Sequence, residues 1–422
     1  MTYTKRMPVH TIDDLRERIG HQGLRITGVR AVPLSYQPAD GSCIHICGPV
    51  VLTRMDAGFV EVRTDQGILG LGPAVGGFED DHTHLLGINP FDILDLGLRG
   101  GLDVACWDII GQALGAPVCD LLAVDHAAHR QVPVYASGGV MWTYYDRSDG
   151  KAFGVDQLIE EALDYKSQGF SVFKWRPGTD WEEAGITPAK LGEICRQLRE
   201  AVGLDFGLGL EKKGYDSWTL DECLEIAPII DELGFLFFEQ PMGDEGPAQF
   251  DDYRRLKQRM PGVMLWGGER FRCAEDARPW IEAGIYDAVQ TDCVHLGITE
   301  NWRLAQIAAA HGVRTVPHNW QTSLGTVCNS HLVAGVESGY MCEFFMYPND
   351  MRYGLLQEPP RPEKGVLNVP TPPGLGARLV DDVETLFPRV EGQAVLANPR
   401  FPHAWVRARI REAEVAANYV SG

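Results

Sequence analysis

The chain has 422 residues, 45% hydrophobic and 23% charged, which suits a globular protein larger than one small domain. Its 38 Lys and Arg against 58 Asp and Glu give a formal charge of −20, which argues against nucleic acid or an anionic membrane as partner. That charge does not exclude a small anionic substrate, because a metal and a few cations can reverse the potential inside one cleft.

Residues 1–23 are polar and helix-tolerant and read as an extension. They lack the apolar core of a signal peptide, and no later run approaches the roughly 18 apolar residues of a membrane span. The 10 Cys have no paired spacing and mostly sit in apolar runs, which reads as buried thiols in a reducing cytosol. From Leu24, RITGVRAVPLSY and GFVEVRTDQGILGLGPA alternate as strands do, with a DQG turn. Between them YQPADGSCIHICGPVVL reads as a long Gly- and Pro-punctuated loop. GGLDVACWDIIGQALGAPVCDLL has helical spacing, ended by Gly115 and Pro117. Residues 24–127 are therefore expected to form a small α+β domain.

From residue 128 to about 365 a β/α alternation takes over. Strands are expected at 132–136, 171–175, 206–210, 235–238, 263–266, 286–290, 313–316 and 340–344, with amphipathic helices between them. Eight such runs predict a closed α/β barrel rather than an open sheet. Residues 366–422 are first Pro/Gly-rich, then end in a tail expected to pack back as a helix on the cap or the barrel.

Polar residues punctuate the strand ends: Glu211, Glu239, Glu269, Asp292, His318 and Glu343, at steps of 28, 30, 23, 26 and 25 residues. That step is the length of a strand, a helix and two loops. Such positions lie at the mouth of a (β/α)₈ barrel, where they read as catalytic. Glu211, Glu239 and Glu269 would repel one another unless a cation held them, so they are expected to bind one Mg²⁺, a hard ion that takes oxygen ligands. Asp292 beside His318 would fix the imidazole tautomer and make it a general base. Glu343, next to Cys342, Phe344 and Phe345, is expected to be a carboxylic acid kept protonated by an apolar pocket. In FKWRPG, Lys174 and Arg176 share a face and suit a substrate carboxylate. Cys43-x-His45-x-Cys47 does not have zinc spacing, so His45 is expected to contact substrate from the cap loop. Trp142, Tyr144 and Tyr145, after the first barrel strand, are rim candidates. His311 and His331 have helical contexts, and structural roles are their default.

The ordered set GLDVACWDIIGQALGAPVCDLL, FFEQP with Glu239, GGE with Glu269, QTDCVHLGITE with Asp292, VPHN with His318 and PPGLG near Gly374 resembles the enolase superfamily, in particular its mandelate racemase subgroup. The resemblance covers most of the chain. It implies an N-terminal α+β capping domain on a (β/α)₇β TIM-like barrel, one Mg²⁺ per site, and removal of the proton α to a carboxylate. It also implies an enediolate stabilised by the metal and by the strand-eight acid, Glu343. Two positions depart from the family pattern. Glu211-Lys212-Lys213 stands where relatives carry Asp and, two residues on, Asn; in several acid-sugar dehydratases a His at the place of Lys213 protonates the leaving hydroxyl. Arg176 stands where the racemases carry a Lys base, and Arg stays protonated. A dehydratase of a hydroxy or sugar acid is the leading expectation, with His318 as base and His318 or Lys213 as the acid. A racemase or epimerase with Lys174 or Lys213 as second base remains open, as does a non-catalytic barrel that binds a carboxylate. Relatives often form homo-oligomers, and a cytoplasmic location is expected.

Overall fold

The computed structural model describes residues 7–39, 41, 44–47, 50–140, 154–177, 187–211, 218–243, 246–320, 322–347, 349–392 and 394–397. The first helix, α1 (Ile12–Ile19), starts at a capping box in which Thr11 and Asp14 satisfy each other's backbone N–H. It is less detached than an extension, since Leu15 and Ile19 are buried in the apolar core of the cap. Strands β1 (Ile26–Tyr36), β4 (Met55–Thr64) and β5 (Leu69–Ala74) form an antiparallel sheet in the order β1-β4-β5. Helix α2 (Gly100–Leu114) covers it and stops at left-handed Gly115. The expected loop between β1 and β4 differs from the sequence reading. It contains a hairpin of β2 (His45–Cys47) and β3 (Val50–Leu52). Three-residue strands carry too little alternation to register in a sequence, and their third partner lies more than 340 residues away.

The barrel strands follow as β6 (Gln131–Val140), β7 (Val172–Arg176), β8 (Gly207–Glu211), β9 (Phe237–Glu239), β10 (Met264–Gly267), β11 (Ala288–Val289), β12 (Arg314–Thr315) and β13 (Cys342–Phe345). Each of the eight overlaps its expected run. They pair in parallel in the order β12-β11-β10-β9-β8-β7-β6-β13. The ring closes where Tyr340 N donates to Thr315 O and Glu343 N to Pro317 O. Among the described residues seven α-helices of eight or more residues fill the crossovers: α3 (Val155–Ser167), α4 (Pro188–Val202), α5 (Leu220–Glu232), α6 (Phe250–Arg259), α7 (Ala274–Glu282), α8 (Cys293–His311) and α9 (Ser323–Gly335). This is a (β/α)₇β barrel under an antiparallel cap. After it, β14 (Val366–Asn368) pairs with β6, and β15 (Val395–Ala397) pairs with β3 of the cap hairpin. The start of the tail is thus a strand where a helix was expected, and residues 398–422 lie outside the described residues.

Strand alternation sorts the side chains. Phe173, Trp175, Leu208 and Leu210 face the helices in the main apolar cluster. Lys174, Arg176, Gly209 and Glu211 take the opposite parity and face the barrel interior. Gly209 is required there, because a Cβ on it would lie 2.1 Å from the Phe237 ring. Below the polar layer Phe237 stacks on Trp266 with centroids 3.6 Å apart, and Tyr135 meets both rings. Cap and barrel join at α8, where Asp103 Oδ1 accepts from Ile298 N and Thr299 N at 2.5 and 3.0 Å. The backbone is bent at that point by Gly297, with φ 81°. The eight cysteines whose side chains are described are free thiols, seven of them buried. Among the described residues no helix is long and apolar enough to cross a membrane.

Candidate active site

One polar layer crosses the C-terminal end of the barrel. Lys174 Nζ lies 2.8 Å from Glu211, 3.0 Å from Glu239 and 2.9 Å from Glu343, and none of the four is more than 1% exposed. Burial alone would strip the proton from this ammonium, but the three carboxylates outweigh it and hold the Lys174 pKa above its ordinary value. The same burial, with Glu211 and Glu343 nearby and Lys174 opposing, pushes Glu239 up to about 7. Arg176 donates to Glu211 Oε2 at 2.7 Å, and its guanidinium sits 5.0 Å over the Trp320 ring. Trp320 in turn packs on Phe345, centroids 4.0 Å apart. Lys174 and Arg176 were expected to meet a substrate carboxylate; both are engaged by protein carboxylates here.

Glu343 corrects another expectation. Its Oε2 accepts the Asn319 N–H at 2.9 Å and its Oε1 faces Lys174, so both oxygens meet donors. Although burial favours the acid form, Lys174 and His318 hold the Glu343 pKa below the usual range, and it stands as a carboxylate. The neighbouring Cys342 and Phe344 do not set its state because they face the helices.

His318 and Asp292 form the expected dyad. The segment after β11 turns into α8 with Asp292 as N-cap, Oδ1 accepting from His295 N at 2.9 Å. That leaves Asp292 Oδ2 to hold His318 Nδ1 at 2.9 Å. The backbone is pinned as well, with His318 N on Gln290 O at 3.1 Å and Asn329 Nδ2 on His318 O at 3.1 Å. A proton on Nδ1 directed at Asp292 leaves Nε2 as the working nitrogen, 3.8 Å from Glu269 Oε2. Burial disfavours the imidazolium, but the Asp292 bond and the charges of Glu269 and Glu343 prevail and push His318 up to about 9.

The three carboxylates expected to hold a metal are not gathered on one point. Among the described residues no three His, Cys, Asp or Glu side chains are disposed as ligands of one ion. Glu211 and Glu239, paired across β8 and β9, enclose the Lys174 ammonium, while Glu269 lies beyond the end of β10 on the His318 side. The repulsion read from the sequence is thus relieved by a lysine at Glu211 and Glu239. In kind and charge the donors still fit a hard divalent ion. They are oxygen donors in a buried layer where four glutamates face two fixed cations.

Several neighbours were missed. Ser137, 1% exposed on the first barrel strand, hydrogen-bonds Glu343. Asn319 donates from its backbone to the Glu343 carboxylate and from its amide to the Glu343 carbonyl at 2.9 Å. Gln240 has φ 41°, an uncommon conformation outside glycine that turns the chain immediately after Glu239. Strand parity from Tyr135 to Ser137 was the available signal for the first; the other two depend on three-dimensional pairing. His331 is structural: burial pushes it down to about 4, and its ring nitrogens meet Cys119 N and Leu375 O. The hairpin strand carrying His45 is described but its side chain is not, and Trp142, Tyr144, Tyr145 and Lys213 lie outside the described residues.

A family profile described as "Enolase C-terminal domain-like" matches residues 157–383. D-galactarolactone cycloisomerase of Agrobacterium fabrum is 27% identical over 362 residues, covering 78% of this chain and 90% of the relative. Arabinonate dehydratase of Saccharolobus solfataricus is 28% identical over 284 residues, covering 67% of this chain and 70% of its own. Among solved structures, a member of the enolase superfamily from Polaromonas sp. JS666 superposes with a TM-score of 0.72 at 24% identity, over 87% of this chain and 98% of that one.

Proposed function

The chain belongs to the enolase superfamily, and from that premise we propose that it is a Mg²⁺-dependent dehydratase, a carbon–oxygen lyase acting on a hydroxylated sugar acid. The observation that carries this reading is the asymmetry of the barrel mouth. His318, oriented by Asp292, is a base candidate on one side. On the other side Lys174 is held protonated by three carboxylates, and Arg176 is fixed between Glu211 and Trp320. A racemase needs a second base facing the first, and neither cation supplies one.

In the proposed reaction Nε2 of His318 takes the proton α to the substrate carboxylate. The C–H electron pair moves into the carboxylate to give an enediolate, then returns to form the Cα–Cβ double bond as the β-hydroxyl leaves. The imidazolium returns its proton to that hydroxyl, water departs, and the enol tautomerises to a 2-keto acid. Glu211, Glu239 and Glu269 would hold the Mg²⁺ generally used in this superfamily, which would supply positive charge for the substrate carboxylate and its enediolate. The Lys174 ammonium adds a fixed donor in the same buried layer, where charges act strongly. Where the β-oxygen belongs to a lactone or anhydro ring, the same proton removal opens the ring without losing water. The cycloisomerase relative, which matches more of the chain than the dehydratase does, favours testing that second reading.

The direct test is incubation of the full chain with Mg²⁺ and a library of mono- and diacid sugars and their lactones, with 2-keto acid formation and ring opening read by NMR. Turnover of at least one member supports the reading. Exchange of the α-proton with inversion and no loss of an oxygen substituent would replace it with epimerisation.

A further inference from the structure

A second set of charges, centred on one buried arginine, lies away from the barrel layer, at the root of the cap hairpin. Arg54, 4% exposed, stands between β3 and β4. Its Nε and Nη2 donate to the two oxygens of Asp56 at 2.8 and 2.9 Å, and Nη2 also donates to the Gly392 carbonyl at 2.6 Å. Asp56 Oδ1 accepts from Ser35 Oγ at 2.7 Å and lies 3.1 Å from Arg389 Nη1. Ser35 Oγ accepts from Val390 N at 3.0 Å. One residue before Arg54, the Thr53 N–H and hydroxyl both donate to Ala394 O, at 3.0 and 3.1 Å. Beyond that point β15 runs antiparallel to β3, so the hairpin becomes a three-stranded sheet whose outer strand belongs to the C-terminal segment.

This assembly stands at the barrel mouth. Met55 Sδ accepts from Asn349 Nδ2 at 3.0 Å, in the loop that follows β13 and Glu343. Ile44 and Met55 share a buried apolar cluster with Phe345, the residue on which Trp320 packs beside Arg176. Two strands of three residues are not stable alone and need a third strand or a packed face. The C-terminal segment supplies that strand, and a bidentate Arg–carboxylate pair, the geometrically specific form of an ion pair, anchors it.

We propose that residues 387–392 and 394–397 form a strap that holds the hairpin strands His45–Cys47 and Val50–Leu52 over the catalytic mouth, with Arg54 and Asp56 as positioning residues for substrate binding. The strap itself stands on the geometry above; its kinetic consequence rests on the proposed function. The hairpin shapes how the site accepts substrate and does not touch the proton-transfer dyad, so loosening it raises KM more than it lowers kcat.

The test compares full-length wild type, Asp56→Asn and Arg389→Gln by hydrogen exchange of peptides spanning residues 44–56 and by steady-state kinetics on the best acid-sugar substrate. Asp56→Asn is expected to speed exchange in that span about ten-fold, leave barrel peptides at wild-type rates, and raise KM about ten-fold with kcat changed less than about three-fold. Arg389→Gln, which meets Asp56 from the more exposed side, is expected to act in the same direction with smaller size and guards against a folding defect in the first variant. Wild-type exchange in both variants overturns the strap. Faster exchange with an unchanged KM overturns its link to substrate. If no acid sugar is turned over by the wild type, the proposed function fails while the exchange data still decide the strap.

Discussion

Replacing Asp292 by Asn separates charge from geometry at the proposed base. Asn is also a good N-cap, so the start of α8 at His295 is preserved. What is lost is the carboxylate that holds His318 Nδ1 at 2.9 Å. His318 stands at about 9 against an ordinary 6.5, a displacement equivalent to roughly 3 kcal/mol, of which the Asp292 hydrogen bond is the largest favourable part. The variant should therefore lower the His318 pKa by about two units and reduce kcat by about 10² to 10⁴, because the imidazole loses both basicity and its tautomer. The base must be neutral to act, so the ligand-free wild type should gain kcat/KM as pH rises toward about 9, and the variant should reach its plateau about two units earlier. Stability carries the same sign. A pKa raised in the folded state stabilises fully below the unfolded value and is lost as pH rises through the folded one. The Tm gap between wild type and variant should accordingly be widest below about pH 6.5 and shrink through about pH 9. The assay is a pH profile of kcat/KM with NMR titration of the imidazole. An inflection that stays near 9 in Asp292→Asn would refute the dyad.

Three further outcomes follow from the same layer. Lys174→Met leaves three buried carboxylates without their common partner, and thermal unfolding should show a loss of about 3–5 kcal/mol that shrinks as pH falls toward the ordinary carboxylate range. Gly209→Ala forces a methyl into the Phe237 ring and should cost about 1–3 kcal/mol in denaturant unfolding, with no change in the pH profile of any remaining activity. Mg²⁺ should raise the Tm of the wild type and give a calorimetric binding signal that Glu239→Gln removes, whereas equal binding by both proteins would place the ion elsewhere.

Much of this architecture was legible because its signals are local. Each barrel strand is a short apolar run, and the polar residue closing it sits at a near-constant step, so the eight strands and the facing of Lys174 with Arg176 followed from periodicity alone. The Asp292–His318 pairing followed from two adjacent strand ends. What escaped depends on partners distant in sequence. The hairpin at residues 45–52 exists by virtue of β15, and the first helix by burial of Leu15 and Ile19 against the cap. The ionisation of Glu343 was misread because its flanking apolar residues were counted as its environment, whereas its carboxylate meets Lys174 and the Asn319 N–H. The repulsion among Glu211, Glu239 and Glu269 was seen, but for Glu211 and Glu239 a lysine one strand away answers it before any metal does.

The central claim is that His318 removes the α-proton in a one-base elimination. An acid sugar carrying deuterium at the α-carbon, supplied with Mg²⁺, tests it by following loss of the label to solvent together with 2-keto acid release. The account predicts a primary isotope effect and label loss with the wild type, and neither label loss nor product with His318→Ala. Label loss persisting in His318→Ala at a rate near wild type would contradict it.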